Sequence, residues 1–298
     1  MNQSPENPRS WCWLDGELLA SSEARIGILD RGFLYGDSIF ETFRTIDGQA
    51  IFVEDHLVRF RQGADRMDLN LDYDDNSLLE IIDQVISRHP QGEDVVLRIT
   101  LTRGDRIGGE IGIDSCQSRL VVLSTALDRQ VIENRAGITV VVVNQNKIPP
   151  TCLDPNVKSG NYLGSILARN EAQCSGADDG ILLSPEGFVT EATTANLFWI
   201  VDGEVFTCSE DLVLAGITRA KVLDILQQEQ IRCHQGHYPV EHLMAADAAF
   251  LTSSIQGLTP ISCLQQRLLG GGDGDILMRR VERLYQQRIA FEISRSTR

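Results

Sequence analysis

Between Thr125 and Gly137 the chain loses all hydrophobic periodicity and turns polar, while strand-like and helix-like patterns recur on both sides of the break. A chain of 298 residues with 42% hydrophobic content can bury a substantial core, and this length suits two modest domains better than one. The break therefore predicts a small domain over residues 1–125, a connecting loop over 126–136 and a larger domain over 137–298.

In the first part, Cys12-Trp13-Leu14 runs into Asp15-Gly16, a hairpin signal, and the alternation from Ser38 to Thr45 predicts a strand ending at Asp47-Gly48. That alternation puts Phe40, Thr42 and Arg44 on one face and Ile39, Glu41 and Phe43 on the other. Glu54 to Met67 and Ser77 to Ile86 carry apolar residues at helical spacing. Val95 to Thr102 and Arg119 to Ser124 are β-branched strands joined by the glycine-rich Gly104 to Gly112.

In the second part, Ile138 to Val143 is a dense apolar strand and Asn161 to Cys174 a helix with Ser159 as its N-cap. Gly180 to Thr207 reads as strands broken at Pro185-Glu186-Gly187 and Asp202-Gly203, Thr218 to Gln228 as a helix, and Ala248 to Thr252 as a buried strand. A final amphipathic helix over Ile276 to Ile289 sets Leu277, Val281, Leu284 and Ile289 on one side. Gly270 to Asp275, with no strand pattern before it, reads as a flexible loop rather than a phosphate cradle.

A formal charge of −15 and a pI near 4.7 argue against a nucleic-acid or anionic-membrane surface. An anionic ligand would need a local positive pocket. Seven scattered cysteines with no Cys-x-x-Cys pair suggest neither a disulfide framework nor a zinc ribbon. Cys233, His234 and His237 lack further ligands at site-like spacing, so no metal is expected. Met1 to Ser10 lacks the apolar core of a signal peptide, and no window approaches the roughly 20 apolar residues of a membrane span, so a soluble cytoplasmic protein is expected.

Two stretches carry chemistry: Asn156-Val157-Lys158-Ser159-Gly160-Asn161-Tyr162-Leu163 and Thr190-Glu191-Ala192-Thr193-Thr194-Ala195-Asn196-Leu197-Phe198. A lysine amine condenses with an aldehyde to a Schiff base, and a carboxylate beside a pyridine nitrogen keeps that nitrogen protonated. That combination belongs to pyridoxal phosphate. Taken alone, Lys158 reads more readily as a solvated charge, and Glu191 equally as an edge-strand carboxylate bonded to a threonine. Two segments suit the phosphate: Gly216-Ile217-Thr218-Arg219, which opens a helix, and Thr252-Ser253-Ser254, which ends a strand with three hydroxyls. Each also reads as an ordinary cap or strand end. Arg44, Arg59, Arg98 and Arg103 either orient a substrate carboxylate or form salt bridges.

In this order the segments resemble the class IV aminotransferases, the fold-type IV pyridoxal-phosphate enzymes, over nearly the whole chain from Trp13 to Ile289. The resemblance implies a small α+β N-terminal domain and a larger C-terminal α/β pseudo-barrel domain, and a homodimer whose sites borrow residues from the neighbouring subunit. It implies that Lys158 is the Schiff-base lysine, that Glu191 partners the pyridine nitrogen, that Arg59, Ile217, Thr218, Ser253 and Ser254 hold the phosphate, and that Tyr162 and Asn196 lie near the ring. Tyr35, Phe40, Arg44, Arg98 and Arg103 are the implied substrate set.

The subgroup signals are mixed. Glu41-Thr42-Phe43-Arg44 stands where branched-chain aminotransferases read Glu-Gly-x-Arg, and Val96 where they place a tyrosine. Arg103-Gly104-Asp105 stands where D-amino-acid aminotransferases read Arg-x-His, and Phe33 replaces their tyrosine. Asn196-Leu197-Phe198-Trp199 is similar to the aminodeoxychorismate lyases, whose basic residue after the lysine is Tyr162 here. The leading expectation is transamination of a small or branched-chain amino acid with a 2-oxo acid such as 2-oxoglutarate. A pyruvate-releasing lyase, a D-amino-acid aminotransferase and an inert cofactor-binding protein are the alternatives.

Overall fold

Asp-Gly pairs shape the strands of this chain more than any other local signal. In the computed structural model, which describes residues 9–106, 111–113, 116–133 and 137–296, Asp15-Gly16, Asp47-Gly48 and Asp202-Gly203 all have positive φ at both residues. That is the backbone of a two-residue hairpin whose twist matches its strands. The polar N-terminal tail, the glycine-rich 104–112 stretch and the end of the 126–136 loop fall partly outside the described residues.

The chain folds as two units: residues through Arg129 together with Val157–Asn161, and Gln130–Asn156 together with the remainder from Tyr162. The first holds β1 (Ser10–Leu14), β2 (Glu17–Ala20), α1 (Arg31–Tyr35), β3 (Ser38–Ile46), β4 (Gln49–Ala50), α2 (Val53–Arg66), α3 (Asp75–Ile86), β5 (Val95–Thr102) and β6 (Arg119–Ala126). Its strands form an antiparallel sheet in the order β2-β1-β6-β5-β3-β4. Ile39 and Phe43 of β3 join Leu57 and Phe60 of α2 and Leu78, Ile82 and Val85 of α3 in one buried core. Alternation along β3 thus delivers one face to α2, as its sequence pattern requires.

The edge of β3 ahead of β4 is covered by a segment from far along the sequence. Phe40 N donates to Lys158 O at 2.9 Å, Gly160 N donates to Ser38 O at 2.8 Å, and Ser159 bridges Ile39. A Cβ on Gly160 would meet Ser38 Oγ at 2.4 Å, so this close approach needs glycine. Ser159 is therefore not the N-cap of the following helix; its backbone pairs with a strand, and the helix begins later, after Tyr162, without a side-chain cap.

The second unit holds α4 (Gln130–Glu133), β7 (Ile138–Val142), α5 (Leu163–Cys174), β8 (Asp179–Leu183), β9 (Val189–Ala192), β10 (Asn196–Val201), β11 (Glu204–Cys208), α6 (Ile217–Gln228), β12 (Cys233–Gly236), α7 (Val240–Met244), β13 (Ala248–Ser253), β14 (Gly257–Leu264), β15 (Arg267–Leu268) and α8 (Asp273–Ser296). The strands run β10-β13-β14-β7-β8-β9, and a bridge between Glu191 and Asn196 returns β9 to β10. Six strands thereby close into a barrel, which leaves no free edge around that circuit. β11 and β12 extend the sheet from β10, and Phe198 stacks on Phe250 across β10 and β13 with centroids 5.1 Å apart.

The last helix differs from its expected seam. α8 buries Met278, Val281, Tyr285 and Ile289, while Leu277 and Leu284 are half-buried. β15 does precede Gly270, yet Asp273 and Asp275 occupy the first turn of α8, which disfavours an anion there.

Candidate active site

Barrel closure decides where the acidic partner sits. Glu191 on β9 faces Asn196 on β10, and Asn196 in turn pairs with Thr252 on β13. Three neighbouring strands therefore place Glu191, Asn196 and the end of β13, with Ser253 last in the strand and Ser254 just after, along one row. Glu191 is 7% exposed. Asn196 Nδ2 donates to Glu191 Oε2 and to Leu214 O, both at 2.9 Å, so one amide ties the carboxylate to the loop that enters α6. The other carboxylate oxygen, Oε1, accepts from the ammonium of Lys147.

Burial works to lower the pKa of Lys147, but the charge and hydrogen bond of Glu191 outweigh it and raise the ammonium above its ordinary value. Lys147 was not among the expected site residues, because Asn144-Gln145-Asn146-Lys147 reads as a polar loop. One signal was present: the chain has only three lysines, Lys147, Lys158 and Lys221, and uses arginine elsewhere.

α6 begins beside this row. Gly216, its N-cap, makes no side-chain capping bond, and Ile217 and Thr218 form the first turn, with Thr218 fully buried. The backbone amides of that turn have no partners within the helix. A Cβ on Gly216 would lie 2.0 Å from Asn196 Oδ1. Arg219 is buried beneath the same turn, where it bonds Cys208 O at 2.9 Å, Gln235 Oε1 at 2.8 Å and Glu210. It anchors the start of α6 to β11 and β12. Burial first, and the Glu191 charge second, push the Cys208 thiol up to about 12, so it stays protonated. Tyr162 stands immediately before α5, half-buried.

In the first unit, docking on β3 fixes the backbone of Lys158. Its Nζ lies 4.5 Å from the centroid of the buried Phe40 ring, and Arg98 Cζ lies 3.5 Å from the same centroid. Both cations lie within cation–π range of that ring. On the opposite face of β3, Glu41 accepts from Arg59 Nε and Nη2, each at 2.7 Å, and lies 2.6 Å from His56 Nδ1. Burial works to raise the Glu41 carboxyl, but Arg59 and His56 outweigh it and hold it at about 2. Burial pushes His56 down despite Glu41, so the ring is neutral and donates from Nδ1.

The remaining expected substrate residues divide. Arg44 is buried on β3, on the face that carries Phe40. Tyr35 is exposed at the end of α1, with Arg31 Cζ 5.1 Å from its ring. Arg103 is engaged elsewhere: it bonds Asp37 Oδ2, Asp68 O and Met67 O at 2.7–2.8 Å and so fastens the end of α2. Among the described residues no cluster of histidine, cysteine and acidic groups could hold a metal, and no helix is long and apolar enough to cross a membrane. His234 and His237 pair with Glu204 and Asp211 at the surface.

An open antiparallel sheet followed by a closed mixed barrel, with a lysine on the first and a buried carboxylate beside an uncapped helix start on the second, defines a two-unit α+β enzyme class. A family profile described as amino-transferase class IV matches residues 38–264, and the chain belongs to that family. A putative branched-chain-amino-acid aminotransferase of Methanocaldococcus jannaschii is 27% identical over 86% of this chain and 88% of its own length. A D-alanine aminotransferase of Staphylococcus aureus is 27% identical over 93% and 97%. The crystal structure of a branched-chain aminotransferase from Thermoproteus uzoniensis with norvaline superposes with a TM-score of 0.87 at 25% identity, over 95% of both chains.

Proposed function

We propose that this aminotransferase moves the amino group of a small or branched-chain amino acid to a 2-oxo acid such as 2-oxoglutarate, with Lys158 and Glu191 at the two ends of its cofactor. The cofactor is pyridoxal phosphate. The observation that carries the residue assignment is Glu191, a buried carboxylate fixed by Asn196 at the seam that closes the barrel. The donor set around it fits the group. The first turn of α6 offers unpartnered amides, and Thr252 Oγ1 is buried with no hydrogen-bond partner.

When bound, the cofactor supplies an aldehyde for an amine and a ring that takes up the electron pair left at the substrate's α-carbon. With the cofactor bound, Lys158 Nζ would hold its aldehyde and would serve as the base for the substrate's α-proton. Glu191 would pair with the protonated ring nitrogen. Ile217 and Thr218 amides, the Thr218, Ser253 and Ser254 hydroxyls and the Arg59 guanidinium hold the phosphate. Asn196 orients Glu191, and Tyr162 lies near the ring. Phe40, Arg98, Arg44 and Tyr35 form the substrate side. Arg103 acts through the fold, since its guanidinium is engaged by Asp37 and by the Met67 and Asp68 carbonyls just after α2.

The branched-chain relative and the norvaline-bound neighbour support the substrate class. The D-alanine relative favours a second reading, a D-amino-acid donor. A panel of L- and D-amino donors against 2-oxoglutarate and pyruvate separates the two. Turnover of L-valine or L-leucine with 2-oxoglutarate supports the first; turnover of D-alanine alone replaces it with the second. We also propose a cytoplasmic homodimer. The run of exposed Ile28, Phe33, Leu34 and Tyr35 suits a subunit contact, and the seven free cysteines suit a reducing compartment.

A further inference from the structure

Glu191 is asked to do something a buried carboxylate does poorly unaided: remain ionised while holding a proton on a neighbouring nitrogen. A carboxylate in such a place needs donors to meet its charge. The donors around it decide the outcome. Asn196 Nδ2 donates to Oε2, and the ammonium of Lys147 to Oε1, so each oxygen already has a partner. A carboxylate has about four lone-pair sites, so a further N–H donor is still accommodated.

We propose that Lys147 is the positioning residue that pairs with Glu191 Oε1, so that the cofactor ring nitrogen meets a carboxylate already held by a cation and its proton stays on the ring. The proposal rests on the reading that Glu191 faces that nitrogen. The proton has two places to sit. With the proton on nitrogen, Glu191 is an anion in contact with the Lys147 cation. With the proton on Glu191, that attraction is lost. A cation touching the carboxylate therefore favours the ionised form whatever lies on its other side. Asn196 contributes in the same sense, but as a neutral donor it contributes less than a charged one.

The setting makes Lys147 a deliberate partner rather than a surface charge. Its side chain is 24% exposed against 9% for Glu191, and it is one of only three lysines in the chain. It reaches the site from the loop after β7, a strand of the barrel that Glu191 helps to close.

The test uses the holoenzyme reconstituted with cofactor labelled with nitrogen-15 in the ring, read by nitrogen-15 NMR. In the parent the ring nitrogen resonates in the protonated range, and Lys147→Arg leaves it there. Lys147→Met moves the resonance toward neutral pyridine and lowers kcat by about tenfold or more, by loss of an electrostatic contact to the reacting group. Should Lys147→Met not fold or not hold the cofactor, Lys147→Gln supplies the same reading, with a smaller displacement in the same direction. A resonance unchanged from the parent in the Met variant, or in Gln where Met cannot be read, overturns the proposal. A resonance unchanged in Glu191→Gln overturns the underlying reading of Glu191 instead, so the two failures are distinct.

Discussion

Gly216 has little freedom to change. Its φ of −67° suits any amino acid, so the constraint is space alone: a methyl group there would meet Asn196 Oδ1 at 2.0 Å. Gly216→Ala must therefore displace Asn196, which holds both Glu191 and Leu214 O. We expect a loss of roughly 1–3 kcal/mol in stability from overpacking and a cofactor affinity at least about tenfold weaker, checked by denaturant titration and by cofactor titration of the apoprotein. Glu41 makes a second residue-level prediction. Its folded pKa, about 2, lies below its ordinary 4.5, so its contribution is present above pH 4.5 and is lost as pH falls toward 2. That shift corresponds to roughly 3 kcal/mol at neutral pH. His56, depressed by burial, adds acid sensitivity that begins as pH falls below its ordinary 6.5, where the unfolded ring takes up a proton. Denaturant melts across this range should show stability falling steadily with acid, and Glu41→Gln should flatten the portion between pH 4.5 and 2. Lys147 shows why such sites are only partly legible in a sequence. Its scarcity as a lysine was visible, but its reach to Glu191 depends on how β7, β8 and β9 stack.

Elements with strong periods were legible: β3, α2, α3, β5 and α6 lie within a residue or two of their expected bounds. The misses have separate physical causes. β12, Cys233-His234-Gln235-Gly236, has no apolar alternation and exists because it adds in parallel to β11 at the sheet's edge. β14 contains Pro260, which argues against an inner strand. It is accommodated beside a register shift at Ile261–Cys263, where the pairing with β7 is irregular. The docking of Ser159 on Ile39 is too short to show any period, and its hydroxyl beside a helix pattern suggested a cap instead. On α8 the expected stripe shares Val281 and Ile289 with the buried one but places Leu277 and Leu284 where Met278 and Tyr285 are buried. Met278→Ala should cost about 2–3 kcal/mol, whereas Leu277→Ala, half-buried, should cost clearly less. Equal losses in thermal melts would contradict the observed seam.

At the scale of the molecule, each unit supplies a different part of the proposed chemistry. The first carries Lys158 on the edge of β3 with Phe40 and Arg98, and Arg59 beneath it with Glu41 and His56. The second closes a barrel through Glu191 and Asn196 and sets the start of α6 beside them. Lys158 is contributed to the first unit by a segment whose neighbours in sequence belong to the second, an arrangement no local pattern announces. The central claim is that the amine of Lys158 bonds the cofactor's aldehyde. Its most direct test is borohydride reduction of the holoenzyme followed by peptide mass mapping. The account predicts one stable phosphopyridoxyl adduct, on Lys158, with none on Lys147 or Lys221. An adduct on either of those lysines, or no adduct on a protein that binds the cofactor, would contradict it.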